Sequence, residues 1–89
     1  MLENNKIKKI IESLIFSSPS PIKAKDIRNF LAEEKISLKL IEELIIELQS
    51  KYSQSGVNLI RVSSGYRFQV ADDCNEWVTN FYPEKPQKY

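Results

Sequence analysis

The 89-residue sequence predicts a mainly α domain with a small antiparallel β-hairpin. Two observations lead to that class. Three successive stretches repeat apolar residues at the helical spacings of three and four, and the stretch after them changes to alternation around a Ser-Ser-Gly turn, cleanly in its second half. Three helices, a two-stranded wing and a short C-terminal helix are the order of a winged helix-turn-helix. The third helix, Ser37–Tyr52, is the centre of the arrangement. Its residues Ile41, Leu44, Ile45, Leu48 and Tyr52 share one face, and Ser37 is a good N-cap.

The other elements follow in order. Residues 4–17 form the first helix, with Ile7, Ile11, Leu14 and Ile15 on its apolar face and Ile10 widening it. Ser17-Ser18-Pro19-Ser20-Pro21 ends it, because a residue before proline is pushed out of helical geometry. A second helix is expected over Ala24–Glu33, with Ile27, Phe30 and Leu31 as its stripe, Lys23 at the capping position and Asp26 in its first turn. Glu34-Lys35-Ile36 leads into the third helix. Gly56 suits a left-handed position after that helix. In the wing, Tyr66, Phe68 and Val70 alternate with Arg67, Gln69 and Ala71. The pattern slips at Leu59-Ile60, which predicts either a bulge or a strand contacted on both faces. Gly65 is expected to supply positive φ in the turn Ser63-Ser64-Gly65. A last helix over Asp73–Tyr82 places Cys74, Trp77, Val78 and Phe81 on one face. That face reads either as core packing or as a Trp-centred partner anchor. Residues 1–82 are therefore expected to be the folded domain and residues 83–89 a linker or tail.

Composition excludes several classes of function. The chain has no histidine, so no His-based triad or His metal ligand can be built, and its single cysteine rules out CxxC pairs. Two glycines cannot make a Gly-rich phosphate loop. Cys74 is expected to be a structural thiol, and no enzymatic activity and no cofactor are expected. No apolar run approaches the ~18 residues of a membrane span. The N-terminus lacks the apolar core of a signal peptide, so a cytoplasmic location is expected.

Net charge is +1, which gives no bulk attraction to nucleic acid. The third helix, which usually reads DNA in this fold, carries Lys39 and Lys51 against Glu42, Glu43 and Glu47 and offers only Gln49 and Ser50 as base readers. Lys6, Lys8, Lys9, Lys23, Lys25 and Arg28 form a basic set in the first third of the chain. They read as a solvated face or as weak, non-specific phosphate contacts. Arg61 and Arg67 are the positive charges of the wing.

The segments IIESLIFSSPSPI at residues 10–22 and GVNLIRVSSGYRFQVADDCNEWV at residues 56–78 carry a likeness. Together with the long helix between them, they resemble the N-terminal winged-helix domain of bacterial segregation and condensation protein B. Gly65-Tyr66-Arg67-Phe68-Gln69-Val70 followed by Trp77-Val78 is the most specific part, and PEKPQKY at 83–89 looks like the linker to that family's second winged helix, which this sequence lacks. The resemblance implies a non-enzymatic, nucleoid-associated homodimer. It would assemble with a kleisin subunit and, through it, an SMC-type ATPase in chromosome condensation and segregation. The third helix also has more apolar residues than one core face needs, since Ile46 lies ~140° from Ile41 around the helix. The dimer surface is accordingly expected to draw on Ile10, Phe16, Leu38, Leu40, Ile46 and Trp77. The alternative function is a DNA-binding winged-helix transcriptional regulator.

Overall fold

The computed structural model describes residues 2–83; of the expected tail, residues 84–89 lie outside the described residues. Four α-helices and one hairpin follow in the order α1 (Asn4–Ser17), α2 (Ala24–Phe30), α3 (Leu38–Lys51), β1 (Val57–Val62), β2 (Gly65–Val70) and α4 (Asn75–Phe81).

The core is a single cluster of aliphatic side chains at the junction of α1, α2, α3 and β1. Helix α1 contributes Ile7, Ile11 and Ile15, and α3 contributes Ile41, Leu44, Ile45 and Leu48. Ala24 and Ile27 from α2, Leu31 just beyond it and Leu59 from β1 complete the cluster. Each such side chain, once fully buried, contributes about 1.5–3 kcal/mol relative to exposure. Ser37 caps α3 as expected: its Oγ accepts the amide of Leu40 at 3.0 Å. Tyr52 closes the other end of the helix, half-buried against the core.

The second helix is shorter than the sequence pattern suggests. It stops at Phe30, and Ala32–Glu34 wind as a 3-10 turn. Leu31 leaves helical geometry (φ −98°, ψ 26°) and turns into the core, whereas Phe30 stays on the outer side and is 71% exposed. Phe30 is therefore not part of the buried stripe. The turn ends at Lys35, whose φ of 57° is left-handed, a conformation that costs a non-glycine residue about 1 kcal/mol or more.

The wing is a regular antiparallel ladder running from Val57↔Val70 to Val62↔Gly65, with a two-residue loop at Ser63-Ser64. The unbroken register excludes the expected bulge. Leu59 points into the core and Ile60 is half-buried on the opposite face, so β1 is contacted on both faces. Gly65 has the expected positive φ, 137°, but it lies in the ladder opposite Val62 and not at the centre of the turn. Gly56 does not take the left-handed conformation anticipated for it; its carbonyl accepts the amide of Ala71 at 2.8 Å and closes the base of the hairpin. An isolated hairpin is marginal in water. Here Ile22, between α1 and α2, forms a β-bridge with Tyr66 through two hydrogen bonds of 2.9 and 2.7 Å. The Asn58 side-chain amide adds a bond of 2.8 Å to the Tyr52 carbonyl.

The last helix departs most from expectation. A 3-10 turn, Asp72–Cys74, precedes α4, and no side chain of α4 is buried. Trp77 and Phe81 are 74% and 75% exposed, which overturns the core-packing alternative for this face.

Candidate protein-interaction site

Phe68 on β2 joins two other aromatic side chains at the surface of the domain. Its ring meets Tyr52 edge-on at 5.0 Å and Phe16 edge-on at 6.2 Å, geometries favoured by the aromatic quadrupole. Phe16 sits at the C-terminal end of α1, one residue past the core position Ile15, and is 77% exposed. Two grooves share Phe16 and Phe68. One lies against the Ser18–Pro21 loop and Arg67. The other is lined by Lys9, Glu12, Ser13 and Tyr52.

The charges around these grooves are unequal. Glu12 accepts a hydrogen bond from the Tyr52 hydroxyl and pairs with Lys51 at 3.4 Å. The Tyr52 hydrogen bond and the Lys51 charge hold the Glu12 carboxyl below its ordinary value, against the opposing effect of partial burial. The same hydrogen bond raises Tyr52. Arg67 donates from Nη2 to Gln69 Oε1 at 3.2 Å, and its buried Nε has no acceptor.

Of the six residues expected at an interface, Phe16, Ile46 and Trp77 stand in solvent, while Ile10, Leu38 and Leu40 are half-buried and pack on the core. Those six leave out Phe68, and Phe81, which the helical spacing places on the anchor face with Trp77 and which stacks edge-on with Tyr82 at 4.6 Å. The signal for Phe81 was its helical spacing from Trp77. No sequence signal showed that no described residue would cover this face.

The basic set is dispersed. Lys23 and Lys25 share a groove with Arg61 at the hairpin end of the domain, where Glu42 also faces them. Lys8 is tied to Glu47 of α3 at 2.9 Å. Lys6 and Lys9 are exposed on α1, and Arg28 is half-buried beside Asn29. Partial burial and the adjacent Asp73 push the Cys74 thiol up, which disfavours the reactive thiolate. Among the described residues no helix is long and apolar enough to cross a membrane.

Fold and surface together define a winged-helix domain with an acidic third helix and a partly exposed aromatic cluster. Residues 9–89 match the family described as segregation and condensation complex subunit ScpB, and the chain belongs to that family. It is 36% identical over 81 residues to the segregation and condensation protein B homolog of Coxiella burnetii (strain RSA 493 / Nine Mile phase I), covering 90% of this chain and 39% of that protein. It is 32% identical over 79 residues to segregation and condensation protein B of Clostridium perfringens (strain 13 / Type A), covering 85% of this chain and again 39% of the relative. The chain thus spans well under half the length of these relatives. Among solved structures, ScpB from Mycobacterium tuberculosis superposes with a TM-score of 0.82 at 15% identity, over 100% of this chain and 56% of that one. A dimer of the ScpB N-terminal domain complexed with ScpA peptide gives 0.77 at 18% identity, over 98% of this chain and 100% of that one. At these identities the two structures establish the shared fold.

Proposed function

We propose that this domain is a non-catalytic assembly module of a condensin-like complex in chromosome condensation and segregation. It forms a homodimer, engages a kleisin subunit and, through it, an SMC-type ATPase, and works at the nucleoid in the cytoplasm. Residues 1–82 are the folding unit in this reading, and 83–89 a linker or tail. The observation that carries the proposal is the solvent-facing aromatic surface on a winged helix whose third helix is net negative: a surface suited to protein and poor for DNA. Family membership and the dimeric, peptide-bound state of the ScpB N-terminal domain structure support it. The absence of histidine and the unreactive setting of Cys74 support a non-enzymatic role. Light scattering across a concentration series of the purified chain tests it. A mass near twice 10.4 kDa is expected, and 10.4 kDa at every concentration would remove the homodimer.

A further inference from the structure

Two surfaces lack a partner among the described residues, and they are complementary. The first is α4. Trp77 and Phe81 lie four residues apart on one helical face, both about three-quarters exposed. The flanking stretch, residues 72–82, carries Asp72, Asp73 and Glu76 and no cation. None of those three acids is in an ion pair among the described residues. The second surface is the pair of grooves around Phe16 and Phe68. Lys9 and Arg67 line them, and their only acid, Glu12, is already held by Tyr52 and Lys51. The molecule is elongated, 46 × 22 × 18 Å, and α4 does not fold back to cover its own grooves.

The geometry points to an exchange between two copies: α4 of each protomer lays Trp77 and Phe81 into the partner's Phe16–Phe68 grooves, with its carboxylates toward the partner's Lys9 and Arg67. This assignment rests on the homodimer proposed above and specifies its contact. Both surfaces belong to the same chain, so a reciprocal exchange closes as a two-fold dimer. The area is adequate. An aromatic side chain buries ~150–250 Å². Six rings (Trp77, Phe81 and Phe16 from each copy), each about three-quarters exposed beforehand, would cover roughly 700–1,100 Å², more than half of the ~1,200–2,000 Å² of a stable interface.

Two measurements test the exchange, both on the whole chain. In light scattering, Trp77→Ala/Phe81→Ala should raise the dimer dissociation constant about thirtyfold or more, as loss of a central aromatic anchor does. Both side chains are exposed, so the variant should melt with the parent at concentrations where the parent is monomeric, and below it only where the parent is dimeric. Dimerisation as tight as the parent's would overturn the exchange and leave the homodimer standing, whereas a monomeric parent would remove the homodimer itself. The second measurement is cysteine crosslinking with a short bis-maleimide in a Cys74→Ser background. A Phe16→Cys copy mixed with a Trp77→Cys copy should give a crosslinked pair that neither gives alone. No crosslink in the mixture, or efficient crosslinking of the Phe16→Cys copy to itself, would show that the copies meet through other surfaces.

Discussion

Gly65 is confined twice, by its own backbone and by its neighbour. Its φ of 137° is a region that side-chain-bearing residues rarely adopt, and a Cβ added there would lie 2.5 Å from the backbone carbonyl of Ile22. Gly56 has neither constraint, with nothing within 4 Å of an added Cβ. Gly65→Ala is therefore expected to lower stability by about 2–4 kcal/mol, and Gly56→Ala to change it by less than about 1 kcal/mol. Paired denaturant titrations check the contrast. The Glu12–Tyr52 contact makes a pH-dependent prediction at the same scale. Glu12 is held below its ordinary 4.5, so its contribution is complete above that value and is lost as pH falls through the folded one. Tyr52 is raised above its ordinary 10.0, so its contribution is complete below that value and is lost as pH rises through the folded one. The stability advantage of the parent over Tyr52→Phe should thus be greatest between these limits and shrink toward both acid and alkali. An advantage independent of pH would mean that the hydroxyl acts only by packing. Gly65 and Ser37 were legible in the sequence because glycine and a helix cap have local chemistry. Lys35 was not, because nothing in a lysine signals left-handed backbone.

At the scale of elements, α1 and α3 were read correctly because their apolar residues recur on one face over three or more turns. The end of α2 was not. A stripe that includes both Phe30 and Leu31 assumes that the helix continues, and the change to a 3-10 turn sends the two side chains to opposite environments. Helix α4 has the same spacing as a core helix and no core. Periodicity shows that a face is apolar; it does not show what covers it. The single-residue strand at Ile22 carried no pattern at all. The α3 face makes the clearest stability prediction. Leu44 is 3% exposed, and Leu44→Ala should cost about 2–5 kcal/mol, enough to unfold a domain of this size near room temperature. A thermal melt matching the parent's would mean that this face is not the core.

For the whole molecule, charge placement decides how DNA is met. Lys51 and Lys8 are already paired with Glu12 and Glu47, so among the described residues Lys39 is the unpaired cation of an α3 that still exposes Glu42 and Glu43. Lys23, Lys25 and Arg61 make a small positive patch, partly offset by Glu42. So few phosphate contacts give affinity that disappears as salt rises. Binding to random-sequence duplex should be detectable at most at low salt, with no sequence preference. Tight, sequence-dependent binding at physiological salt would instead favour a regulator. The winged-helix order was legible from the change of apolar period. The aromatic cluster was not, because it joins Phe16, Tyr52 and Phe68, which are far apart in the chain.

The bridge between Ile22 and Tyr66 also bears on motion. The wing carries its own ladder, and it is fastened to the helices by those two backbone hydrogen bonds, the Asn58 amide, the buried Leu59 and the packing of Tyr66 and Phe68 on the core, Tyr52 and Phe16. The hairpin can therefore lift away as a unit without breaking its internal pairing, an opening smaller than global unfolding. The amide protons of Ile22 and Tyr66 are shielded by the same closure. They should exchange with solvent in step, and sooner than those in the middle of α3.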